Sequence, residues 1–99
     1  MSLPVLAVVI PTRNRREILM KTLRALGGQR DLKGRFEVIV VDDGSTDGTV
    51  DLVRGSVFEV FDQRIIDLDA GGPARARNRG IAEASAERVL LLGDDTIPT

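Results

Sequence analysis

Two pairs of adjacent aspartates, Asp42-Asp43 and Asp94-Asp95, each lie just past an apolar run. Neighbouring carboxylates at the end of a buried strand repel each other and favour a cation. On extended backbone, successive side chains point to opposite sides. One of Asp94 and Asp95 is therefore expected to face a metal ion, and the other a different polar group such as a sugar hydroxyl. Asp42-Asp43 opens the segment DDGSTDG, which serves equally as a turn capping the next helix, with Ser45 or Thr46 as the cap. Gly71-Gly72-Pro73 leads into a helix start, where free N–H groups and the macrodipole attract anions. Arg75, Arg77 and Arg79 follow. Arg75 falls in the first turn, within reach of a diphosphate, whereas Arg79 reads as part of a solvated helix face. A further polar segment, Pro11-Thr12-Arg13-Asn14, follows the first apolar run.

Other chemistries are excluded by composition. The 99 residues contain no Cys and no His, which removes disulfides, thiolate nucleophiles, Cys zinc sites and Ser-His-Asp catalysis. A net charge of -1, with three Phe as the only aromatics, argues against nucleic acid as a partner. No apolar run reaches the roughly 18 residues of a membrane span. The N-terminus lacks the charged region and cleavage site of a signal peptide, so a cytoplasmic location is expected. Apolar residues at 42% and charged residues at 29% are ordinary for a globular chain, and residues 1–99 are read as a single domain.

The elements that must hold these polar segments alternate along the chain. Val5–Ile10 (VLAVVI) is continuous and rich in β-branched residues, as in a strand buried on both faces. In Arg15–Leu26 the period changes. Leu19, Leu23 and Leu26 form one helical stripe, Asn14 is the expected N-cap and Gly27-Gly28 the stop. Phe36–Val41 is a second strand, and Val50, Val53 and Val57 mark a short second helix. Arg64–Leu68 is expected to be a third strand. Pro73 suits the first turn of a third helix, with Ala74, Asn78, Ile81 and Ser85 along one side. Arg88–Leu92 is a fourth strand. This alternation predicts an α/β fold, an open and mainly parallel four-stranded sheet with right-handed crossovers and helices on both faces. All four polar segments then gather at the carboxyl ends of the strands, where open α/β folds bind ligands.

Four segments, VVIPTRNR (8–15), VIVVDDGSTD (38–47), GPARARNRGI (72–81) and LLGDDTIP (91–98), resemble in order and spacing the N-terminal half of family 2 glycosyltransferases of GT-A fold. The resemblance implies the Rossmann-like half of that fold, with strand order 3-2-1-4. It also implies a nucleotide-diphosphate-sugar donor, with a UDP-sugar favoured, and inverting transfer to an acceptor hydroxyl. Mn or Mg would act as Lewis acid on the leaving diphosphate. By the same resemblance, Pro11, Thr12, Arg13 and Asn14 line the nucleobase pocket and Asp43 bonds the base. Asp94 is assigned to ribose or metal, and Asp95 to the metal. Gly72 and Arg75 are expected on the diphosphate side from their place at the helix start, independently of the resemblance.

The chain departs from the family pattern at Arg13, where many relatives carry an aromatic. It departs again at Gly93 and Thr96, where acids are frequent, which implies weaker metal binding. The general base of the family belongs to its acceptor-binding half and is not matched here. The isolated chain is therefore expected to bind nucleotide without transferring sugar. Peripheral membrane association is an expectation for a full enzyme. The alternative is a non-catalytic module that binds nucleotide or self-associates through an exposed sheet edge. No G-x-G-x-x-G or P-loop pattern is present.

Overall fold

The structure, a computed structural model, describes residues 6–28, 36–56 and 61–94. Strands and helices alternate as β1 (Leu6–Thr12), α1 (Arg16–Gly27), β2 (Phe36–Asp43), α2 (Thr49–Arg54), β3 (Asp62–Leu68), α3 (Pro73–Glu83) and β4 (Arg88–Leu91). All strand pairs are parallel, in the order β3-β2-β1-β4. The first two strands run further than their apolar residues predict, ending at Thr12 and Asp43. Pairing continues through polar residues because both strands are central, and Thr12 lies opposite Asp42 in register. Val57, the last residue of the expected α2 stripe, lies outside the described residues.

The alternating pleat sorts the core into two layers. Val8, Ile10, Val38 and Val40 face α1 and α2, packing on Leu19, Leu23, Leu26 and Val53. Val9, Ile39 and Val41 face α3 and meet Ala76. Connections β1-α1-β2 and β2-α2-β3 step one way across the sheet, and β3-α3-β4 steps back past β1. Crossovers of one hand then place α1 and α2 on one face and α3 on the other, as found. Among the described residues, no helix is long and apolar enough to cross a membrane.

Two expectations about the helices are corrected. Asn14 does not cap α1. The N-cap position is Arg15, whose side chain makes no cap bond, and Asp47 Oδ2 accepts the Arg16 N–H at 3.2 Å instead. Neither Ser45 nor Thr46 caps α2, where Asp47 Oδ1 accepts the N–H and hydroxyl of Thr49. In α3 the buried positions are Ala76 and Gly80, while Ala74, Asn78 and Ile81 are exposed, as is Ser85 beyond the helix end. Smallness decides this face. A Cβ on Gly80 would come within 2.3 Å of Val9 Cγ1, so only a hydrogen fits between α3 and the sheet.

Candidate functional site

Pro11, Thr12, Arg13, Asp43 and Asp94, all singled out in the sequence, line one cleft of about 250 Å³ with Arg15, Pro73 and Ala76. It opens at the carboxyl ends of β1, β2 and β4, beside the start of α3. Because β4 is placed next to β1, it lies where the strand order reverses. A larger hollow of about 520 Å³ lies along α1 and reaches α2, lined by Arg16, Met20, Lys21, Arg24 and Leu52.

The pleat gives the two residues of each strand end different surroundings. Asp42 continues the face of Val38 and Val40, and its Oδ2 accepts the Ser45 N–H at 2.9 Å. It is wholly enclosed and shapes the turn. Asp43 continues the face of Val41. Its Oδ1 accepts the Gly71 N–H at 2.9 Å and its Oδ2 the Gly72 N–H at 3.0 Å. The residue after Asp43 permits this close approach. Gly44 has φ 81, and a Cβ there would meet the Ala70 nitrogen at 2.8 Å.

Asp94 is only 7% exposed, and a carboxylate buried to that degree requires partners. The Thr12 hydroxyl donates to Oδ2 at 2.9 Å, and the Arg15 guanidinium to Oδ1 at 3.1 Å. The Thr22 hydroxyl, inside the apolar stripe of α1, donates to the Asp94 carbonyl at 2.7 Å. Arg15 and Thr22 were not singled out from the sequence. A threonine between Leu19 and Leu23 on a buried helix face was the available signal for Thr22.

The other predicted site residues stand apart from the cleft. Asn14 turns towards the β2–α2 loop, where its Oδ1 accepts the Thr46 N–H at 2.7 Å. The Arg75 guanidinium donates to the Asp69 carbonyl at 3.0 Å and folds against Gly71, so it does not line the cleft. Gly72 reaches the site only through its N–H on Asp43. The Thr49 hydroxyl, ahead of the Arg16 and Thr49 amides and against a smaller effect of burial, holds the Asp47 carboxyl below the usual carboxylate range.

Of the two carboxylates that the family resemblance assigns to a metal, the described residues hold one, Asp94. Its Oδ2 accepts the Thr12 hydroxyl and its Oδ1 the Arg15 guanidinium, whose charge opposes a metal ion on that side, and each oxygen keeps a second lone pair. Asp42 Oδ1 has no hydrogen-bond partner, but it belongs to a side chain with no exposure. Among the described residues no group of three or more acidic side chains is assembled for a metal. Asp95 lies outside the described residues.

Residues 7–99 match the family described as Glycosyl transferase family 2. Over 99 residues the chain is 36% identical to glycosyltransferase AglE of Haloferax volcanii, covering 98% of this chain and 32% of that protein. It is 43% identical over 90 residues to validoxylamine A glucosyltransferase of Streptomyces hygroscopicus, covering 90% of this chain and 21% of that one. Among solved structures, Staphylococcus aureus TarS in complex with UDP superposes with TM-score 0.81 at 33% identity, over 91% of this chain and 27% of that one. A Pyrobaculum calidifontis mannosyltransferase in complex with GDP-Man and Mn2+ superposes with TM-score 0.84 at 28% identity, over 96% and 28% of the two chains. The chain thus spans about a fifth to a third of the length of these relatives.

Proposed function

Because the chain belongs to glycosyl transferase family 2, we propose that its cleft binds the nucleotide of a nucleotide-diphosphate sugar, for inverting transfer of that sugar to an acceptor hydroxyl. The observation that carries this reading is the meeting of Thr12, Asp43 and Asp94 from three strand ends in one cleft at the reversal of strand order. The cleft is just below the roughly 300–1,000 Å³ of small-molecule sites, which suits one end of a nucleotide. Two neighbours superposing over most of the chain hold UDP and GDP-Man, which supports the same ligand class here.

Each Asp43 oxygen accepts one backbone N–H and keeps a second lone pair for a base N–H. Pro11, Thr12 and Arg13 flank the base, and Asp94 meets a ribose hydroxyl beside Thr12. A divalent cation, Mn or Mg, belongs to this reading through Asp95, as does a cytoplasmic location, with any membrane contact peripheral.

Calorimetric titration of UDP and GDP, each with and without Mn, tests the proposal on the wild type and on Asp43→Ala and Asp95→Ala. One diphosphate is expected to bind, with loss of affinity in Asp43→Ala and loss of the Mn dependence in Asp95→Ala. Failure of the folded wild-type chain to bind either diphosphate overturns the reading.

A second reading, a self-associating module, is favoured by β4. All four of its residues are exposed, with Leu90 and Leu91 at 46%, and among the described residues it pairs with β1 alone. Light scattering across a concentration series tests this reading: mass that rises with concentration is expected, and a monodisperse monomer at high concentration overturns it.

A further inference from the structure

Among the described residues, Asn14 is the only non-glycine with positive φ, at 52. Asparagine tolerates this left-handed conformation because its short polar side chain bonds locally. Here the bonds run to another loop. The Asn14 N–H donates to Ser45 Oγ at 2.8 Å. Its Oδ1 accepts the Thr46 N–H at 2.7 Å and the Thr46 hydroxyl at 3.3 Å. Two residues on, the Arg16 N–H donates to Asp47 Oδ2. Ser45, Thr46 and Asp47 thus hold the stretch from Asn14 to Arg16 from outside the cleft. The residues on either side of Asn14, Arg13 and Arg15, line the cleft while Asn14 does not. Arg15 in turn fixes Asp94.

We infer that Asn14 is a positioning residue: through Oδ1 it locks the β1–α1 loop onto the β2–α2 loop and so sets where Arg13 and Arg15 stand in the cleft. This role rests on the nucleotide-binding reading and differs from the place in the nucleobase pocket that the family resemblance implied for Asn14. The lock uses only the acceptor oxygen. Among the described residues the side-chain amide Nδ2 donates to nothing. The lock needs the Oδ1 acceptor and a base contact through Nδ2 needs the amide donor, so substitution can test the two separately.

Three variants separate them. Asn14→Gly keeps the left-handed backbone at no steric cost and deletes the acceptor. Asn14→Asp keeps both the acceptor and the tolerance of positive φ but removes the amide donor. Asn14→Ala deletes the acceptor and adds backbone strain. Hydrogen exchange of the Thr46 amide reads the lock without any ligand, and calorimetry with the diphosphate that the wild type binds reads the cleft. Asn14→Gly is expected to expose Thr46 to exchange and to weaken nucleotide binding about tenfold, the effect of one lost hydrogen bond. Asn14→Asp is expected to restore both. Affinity that tracks Thr46 protection across the three variants supports the inference. Affinity lost in any variant that still protects Thr46, or kept in one that does not, overturns it. If the wild type binds neither UDP nor GDP, the functional reading fails, and the lock then stands or falls on whether Asn14→Gly frees Thr46.

Discussion

Asp42 and Asp43 are the same residue type, one position apart, and the pleat gives them separate jobs. Asp42 bonds the Ser45 amide on the α1 and α2 side, whereas Asp43 receives the Gly71 and Gly72 amides on the α3 side. Removing the Asp43 acceptors leaves two backbone donors without partners. Asp43→Ala is expected to cost about 1–3 kcal/mol of stability in urea unfolding. Asp43→Asn, which keeps one acceptor, is expected to fall between it and the wild type. Asp47 carries a pH dependence. Its carboxyl is held low in the folded state, first by the Thr49 hydroxyl, so between its folded and unfolded values the unfolded chain binds more protons. Its contribution is fully present above the ordinary carboxylate pKa of about 4 and is lost as pH falls through the lowered value. Urea midpoints measured below about pH 4 are therefore expected to fall less steeply with acid in Asp47→Asn than in the wild type.

The helices pack on the sheet by different means. Leu19, Leu23 and Leu26 bring α1 onto its face through large side chains, and Leu23 is fully buried. Leu23→Ala is expected to destabilise by about 2–5 kcal/mol, the range for a buried leucine whose cavity only partly collapses. At Gly80 the direction is opposite to helix propensity. Alanine favours a helix over glycine by about 1 kcal/mol, yet a Cβ at that position would stand 2.3 Å from Val9 Cγ1. Because overpacking costs about 1–3 kcal/mol, Gly80→Ala is expected to lower stability in chemical denaturation despite its better propensity. A more stable Gly80→Ala would show that α3 can rise off the sheet without loss.

Across the whole molecule, burial is uneven. All eight residues of β2 are buried, whereas β4 presents Val89, Leu90 and Leu91 at 36–46% exposure. An apolar strand paired on one side is a template for another strand. The longer relatives carry further polypeptide that this chain does not span. On the self-association reading, Leu90→Lys is expected to lower the weight-average mass in sedimentation at high concentration and to leave nucleotide affinity unchanged. An unaltered mass distribution in Leu90→Lys would remove β4 from any such contact.

Much of this architecture was legible because burial on both faces of a parallel strand leaves continuous apolar runs. Val5–Ile10 and Phe36–Val41 stand out for that reason, Arg88–Leu92 is as apolar in sequence although β4 is exposed, and the acidic pairs mark where two of the runs end. The parallel alternation followed from periodicity, and the order 3-2-1-4 from the family resemblance. Local signals record which residues are buried and which backbone conformations they tolerate. They do not record partners, and there the tertiary structure decided. Asp47 caps α1 from a loop 31 positions away, and Asn14, well suited to a cap, serves that loop instead. Arg15 finds Asp94 at a separation of 79 residues, a pairing that exists only once β4 lies beside β1. The inward face of α3 is small rather than apolar. Periodicity pointed to Ile81, and the closeness of the sheet selected Ala76 and Gly80.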